Sequence, residues 1–195
     1  MSGSGRAARA ETERRLETAR RGAELLDRKQ QILRIAIGNR AEQSEQSLAR
    51  FHEASARAAL WLGRSLALDG LGRIRESVPD ALAEAKIRWG GAMGISYPED
   101  ASVNLPDQTP ASGSSALLYA AAAHREALAA AVAHAADARA LLLVSRELAA
   151  TRTRQRAVEH RWIPRLEAEL DRIRRSLAEQ ELEESLRLRW AAGAV

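Results

Sequence analysis

The sequence predicts a mostly α fold: a long antiparallel two-helix coiled coil formed by the N- and C-terminal helices, with a small central head containing a short β-hairpin. Three observations predict it. Apolar residues recur at steps of three and four over two long stretches, one toward each end of the chain. Both stretches are rich in alanine and charge, and aromatics make up only 4% of the chain, which suits helices packed along a narrow seam better than a wide core. Between them, glycine, proline and short alternating runs concentrate. The chain accordingly divides into a helix over 1–69, a head with hairpin and loop over 70–115, and a helix over 116–195.

Residues 1–9 are small and polar and are expected to fray. A helical pattern begins near Ala10. From Leu16 the seam steps through Ala19, Ala23, Leu26, Gln30, Leu33 and Ile37, and continues to Phe51, Ala54, Ala58, Trp61 and Leu68 without a break in step. No proline falls in residues 1–78. A helix of ~58 residues is about 87 Å long at 1.5 Å per residue and reads as a coiled-coil strand. The polar interval Gly38 to Ser47 weakens the seam; it either sets register or marks where a third body docks. Gly70 and Gly72 end the pattern.

In the head, Val78-Pro79-Asp80 restarts a short element, read as a helical turn through Ala85. Ile87 and Trp89 alternate with Lys86 and Arg88, and Met93, Ile95 and Tyr97 alternate with Gly94 and Ser96. Two such runs around Gly90-Gly91 predict a β-hairpin. Residues 98–114 hold three of the five prolines and read as loop.

Helical periodicity resumes near Ser115. Its seam is read as Leu117, Ala121, His124, Leu128, Ala131, Ala135, Ala138, Leu142, Ser145 and Ala149. A basic run follows (Arg152, Arg154, Arg156), then Pro164, then a clear seam at Leu166, Leu170, Ile173 and Leu177. Proline inside a helix removes one backbone hydrogen bond and clashes with the carbonyl four residues back, so a kink near Arg161 is expected. One connecting region joins the two long helices, so they run antiparallel. Setting Leu68 opposite Leu117 places Leu33 near Arg152 and Leu16 near Glu169, with the C-terminal helix unpaired beyond about Arg175.

The composition excludes several function classes. There is no cysteine, so disulfide and thiolate chemistry are absent. The four histidines (His52, His124, His134, His160) have no ExxH or HExxH context, and no metal or cofactor is expected. The glycines at 90, 91 and 94 form no GxxxxGK[ST] loop, which argues against nucleotide binding. No apolar run approaches the roughly 18–20 residues that span a bilayer, so direct membrane insertion is not expected. Net charge is +4, with both ends basic and the middle acidic, so ends and middle are expected to meet different surfaces. The C-terminal arginines lack interleaved aromatics, and no nucleic-acid partner is expected.

Three segments resemble the D subunit of the V-type and archaeal-type (V/A-type) rotary ATPases and ATP synthases, the central-stalk rotor shaft. They are RRLETARRGAELLDRKQQIL from Arg14, IRWGGAMGISYP from Ile87, and TRTRQRAVEHRWIPRLEAELDRIRRSLAEQELEESLRLRW from Thr151. The first resembles the family's early helix, with a Gly followed by Leu-Leu and a basic pair. The second is similar to its short hairpin with a Met-Gly step. The third is similar to its run of basic residues followed by Ile-Pro-basic-Leu-Glu. Their order and spacing agree over nearly the whole chain. Gly90 stands where the family has Asn, and His160 where an uncharged residue is commoner.

The resemblance implies a non-catalytic subunit that transmits torque between ATP chemistry in a hexamer of catalytic A and B subunits and translocation of protons or sodium through a membrane ring. It implies three sets of partners: the A and B subunits, an F subunit along the shaft, and a membrane-side socket subunit of the C/d type at the head. It implies a cytoplasmic chain, peripheral to the cell membrane within the complex. The hexamer-contact candidates are Arg152, Arg154, Arg156, Arg161, Arg165, Arg172, Arg174 and Arg175, whose plainer reading is a solvated face. The candidates for contact with the F subunit are Ala121, Leu128, Ala131, Ala135 and Ala138, equally readable as close helix packing. Trp89, Met93, Ile95 and Tyr97 are the head candidates, and Trp89 and Tyr97 also read as local packing. The alternative function is a free-standing coiled-coil adaptor or tether with no motor role.

Overall fold

The computed structural model describes residues 2–107 and 113–193, excluding the side chains of residues 2–4. Helix α1 runs Ser2–Glu76. Strands β1 (Glu84–Ala92) and β2 (Ile95–Asn104) pair antiparallel, and helix α2 spans Ser115–Ala157. A π-helical turn, Val158–Trp162, leads into helix α3, Ile163–Gly193. The mostly α fold with two long helices and a central hairpin is therefore present. The chain divides into two compact units, residues 1–32 with 148–195 and residues 33–147.

In the first of these units, α1 packs against the end of α2 and against α3. Leu16, Leu166 and Leu170 form a buried cluster, with Ala19 and Ile163 packed on it. These are the seam positions that the three- and four-residue steps select. Helix α1 begins at Ser2, well before the periodic pattern does. Gly5 serves close packing: a Cβ there would lie 2.8 Å from Leu177 Cδ2. The pairing also continues past Arg175, since Arg6 meets Glu181 at 3.8 Å.

Near Arg161, where a proline kink is expected, the helix holds a widened turn. The Ile163 N–H donates to the Val158 carbonyl, a five-residue step in place of four. Pro164 follows, and the helix neither stops nor loses its seam. A part-buried polar contact crosses this unit: the Gln30 side-chain amide donates to Gln155, whose own amide donates to Glu159 at 2.8 Å.

In the unit of residues 33–147, α1 and α2 lie antiparallel. Ser47 Oγ is 3.2 Å from His134 Nδ1, Arg57 donates to Glu126 at 2.6 Å, and Asp69 holds Ser114. The core is largely alanine: Ala54, Ala58, Ala116, Ala120, Ala123, Ala136 and Ala140 are buried. The seam read on α2 is therefore corrected. Apart from Leu117, the buried stripe (Ala120, Ala123, Ala136, Ala140, Val144) lies off the positions stepped from Leu117, and Leu128, Ala135 and Leu142 are exposed. In a helix this rich in alanine, hydropathy barely distinguishes one face from another.

Three readings in the head also change. Gly70 interrupts α1 with φ 75°, yet the helix continues to Glu76, and residues 78–83 hold no helical turn. The hairpin turn falls at Met93 and Gly94, both with positive φ (54° and 81°), while Gly90 and Gly91 pair within the ladder with Tyr97 and Ser96. A two-residue turn of the I′ class needs positive φ at both positions, and this decides its location. Strand β2 reaches Asn104 through Pro98 and so takes over the first part of the expected loop. The register shifts between Arg88 and Trp89, and Pro98 sits opposite Trp89 at that bulge, where its missing N–H is tolerated. Residues 108–112 of the loop reading lie outside the described residues.

The helical run Ser115–Gly193 includes an 18-residue window of mean hydropathy 1.6, apolar enough by length and composition to cross a membrane; 17% of that window is buried. The expectation that no such run exists is corrected, because alanine scores as apolar on that scale.

Candidate functional site

Alternation of leucine and charge on α3 keeps Leu166, Leu170 and Leu177 inward and turns the arginines out. Arg152, Arg154, Arg156, Arg161, Arg165, Arg172, Arg174 and Arg175 are all exposed. Several acidic residues of the same unit are engaged. Arg20 donates to Glu167 at 2.8 Å. Glu13 accepts from Arg9 at 3.0 Å and from Arg174 at 3.1 Å. The Arg9 and Arg174 guanidinium groups hold the Glu13 carboxyl below its usual value. Arg174 also lies 3.9 Å from Asp171. Among the described residues, Arg152, Arg156, Arg161 and Arg165 make no ion pair. The result is a set of outward cations whose charge the chain itself does not neutralise.

Two clefts flank this surface. Glu11, Arg14, Arg15, Thr18, Ala19, Gly22, Leu26, Val158 and Trp162 line one of about 570 Å³. Arg15, Trp162, Arg165, Leu166 and Glu169 line another of about 240 Å³. Trp162 is 56% exposed. It corrects the reading of the C-terminal arginines as free of interleaved aromatics, since it stands between Arg161 and Arg165, where the periodicity of the sequence does not single it out. Nor does the periodicity single out an exposed stripe at steps of four on α3, Leu182, Leu186 and Trp190.

In the other unit, the five alanine and leucine candidates of α2 are separated in their surroundings. Ala121 lines a cleft of about 280 Å³ with Leu62, Ile74, Val78 and Pro79. Leu128 lines a further cleft with Leu82, Leu105 and Pro106. Both thus face this chain's own head segment. Ala131 and Ala138 are half-buried, and Ala135 is exposed. Arg125 Nη1 donates to the Pro106 carbonyl at 2.6 Å, tying the end of the hairpin segment to α2.

The four head candidates differ as well. Tyr97 and Ile95 are half-buried, while Trp89 and Met93 are exposed. The Arg40 guanidinium lies 4.3 Å from the centroid of the Tyr97 ring. The polar interval of α1 therefore carries a contact with the chain's own hairpin.

The start of α2 is fixed by one carboxylate. Asp69 accepts from the Ser114 N–H at 2.7 Å and from the Ser114 hydroxyl at 2.6 Å, and Ser65 donates at 3.2 Å. The Ser114 hydrogen bonds are the chief cause that lowers the Asp69 pKa below its usual value. Among the described residues no group of His, Asp and Glu is arranged to hold a metal ion.

Residues 8–193 match the family model that describes the D subunit of ATP synthase. No curated protein matches the chain.

Proposed function

Because the chain belongs to the family of ATP synthase D subunits, we propose that it is the central-stalk rotor subunit of a V/A-type rotary ATPase. It transmits torque between ATP chemistry in a catalytic A/B hexamer and proton or sodium translocation through the membrane ring. The observation that carries this reading is the family match from residue 8 to residue 193, in a chain whose paired long helices turn an arginine surface outward. A rotating shaft needs a stiff body and a charged surface that another body can read, and needs no reaction centre of its own. Exposed cations contribute little to the stability of their own fold, so their use lies in what they meet.

On this reading Arg152, Arg154, Arg156, Arg161, Arg165, Arg172, Arg174 and Arg175 face acidic loops of the A and B subunits. The F subunit lies along α2 at Ala131, Ala135 and Ala138, with Ala121 and Leu128 at its border with the head. Trp89, Met93, Ile95 and Tyr97 belong to the head that serves the socket subunit of the C/d type. The protein is then cytoplasmic and peripheral to the membrane.

Reconstitution with candidate A, B and F subunits tests the proposal. The chain is expected to be recovered with them in fixed proportion and to make ATP hydrolysis drive rotation. Reversing Arg152, Arg154 and Arg156 to Glu is expected to leave the isolated chain folded and to weaken assembly or coupling. A chain that recovers none of those subunits is a tether, not a rotor.

A further inference from the structure

We infer that the widened turn Val158–Trp162 is a single-residue insertion that resets the phase of the C-terminal helix against α1, and that Pro164 is not its cause. The seam shows the surplus residue directly. On α1 the inward positions are Thr12, Leu16, Ala19, Ala23, Leu26 and Gln30, an unbroken alternation of four and three. The facing helix does not match it. Leu148 and Thr151 are buried on one side of the turn, and Leu166, Leu170 and Leu177 on the other. Two heptads on from Thr151 falls Arg165, which is exposed; the buried residue is Leu166. Three heptads on from Leu148 falls Glu169, and the buried residue is Leu170. Both comparisons give a slip of one residue in the same direction.

A slip of one residue in a regular α-helix turns everything beyond it by about 100°. Leu166, Leu170 and Leu177 would then leave α1. The π turn removes that rotation by taking one more residue per turn, as the Ile163-to-Val158 hydrogen bond shows. The surplus side chain is carried outside: His160, Arg161 and Trp162 are exposed in succession. The insertion thus adds one side chain to the outer surface, within the run His160-Arg161-Trp162, without disturbing the leucines within.

Three variants of the full chain test this, each carrying Leu16→Cys and Leu170→Cys as a disulfide reporter in a protein that has no cysteine of its own. Deleting His160 is expected to convert the turn to α-helix, preserve the crosslink, and leave the melting temperature within about 4 °C of the parent or above it. Deleting Ala168, in regular α-helix, is expected to lose the crosslink and lower the melting temperature by roughly 10 °C or more. Pro164→Ala is expected to retain the crosslink and leave amide exchange in 158–163 unchanged. Loss of the crosslink in both deletions overturns the inference. So does a rise in protection across 158–163 in Pro164→Ala, which would make the proline the cause of the turn.

Discussion

The Arg40 guanidinium caps the Tyr97 ring at 4.3 Å, and this contact joins the hairpin to the helix α1 within residues 33–147. A cation over an aromatic face at a partly exposed site is worth about 0.5–1 kcal/mol. Tyr97→Leu is therefore expected to speed amide exchange in β2 about two- to fivefold while leaving exchange in α1 unchanged. Hydrogen–deuterium exchange with peptide resolution measures this.

Met93 occupies a left-handed position, φ 54°, in the hairpin turn. A side chain with a Cβ is disfavoured there by roughly 1–2 kcal/mol, less for Asn. Met93→Asn is expected to stabilise the hairpin by about 1 kcal/mol. Slower exchange at Ala92 and Ile95 checks it.

These two residues show where the sequence was legible and where it was not. The seams near Leu16 and Leu166 were readable because leucine alternates there with arginine and glutamate. On α2, alanine occupies both the buried stripe and the exposed face, so the step from Leu117 drifted onto Leu128 and Ala135. Gly90-Gly91 looked like the turn because glycine tolerates positive φ, but the pair lies in the ladder, and a Cβ at Gly90 would come within 3.1 Å of Glu99. Pro98 hid the length of β2, since proline is tolerated in a strand only where the ladder is already broken. The arginine surface was legible in full as residue types. Its neutralised and unneutralised members were not, because Glu13 and Arg174 are far apart in sequence. Trp162 joined the surface only through the widened turn.

Asp69 links stability to pH. Its folded pKa is lowered, first by the Ser114 hydrogen bonds. A carboxyl lowered on folding adds stability above its unfolded value, near 3.8, and the gain is lost as pH falls through the folded value. Asp69→Asn is expected to melt below the parent at neutral pH, with the gap closing as pH drops under that value. Melting curves taken from neutral into acid decide it; a gap that stays constant throughout refutes the role of Asp69.

Gln30 is 3% exposed and bonded to Gln155. Gln30→Ala leaves the half-buried Gln155 short of one hydrogen bond and is expected to cost about 1 kcal/mol. The double variant Gln30→Leu, Gln155→Leu is expected to recover most of that. It is also expected to admit neighbouring registers, since a buried polar pair specifies alignment at the expense of stability. Denaturant titration reads the first effect, and cysteine pairs placed one heptad out of register read the second.

The buried alanines of residues 33–147 have a mechanical consequence. Alanine has no side-chain rotamers to freeze, so burying it costs backbone order and little else. It also presents a shallow surface, broken by few larger buried side chains such as Leu117 and Val144. Two such helices meet as a plain bearing does, with low resistance to lengthwise sliding. Position along the axis is then fixed by those larger side chains and by discrete pins: Ser47 against His134, and Asp69 in the turn at Ser114. Wear in such a joint would show first at the pins, and a variant that shears them would slide before it unfolds.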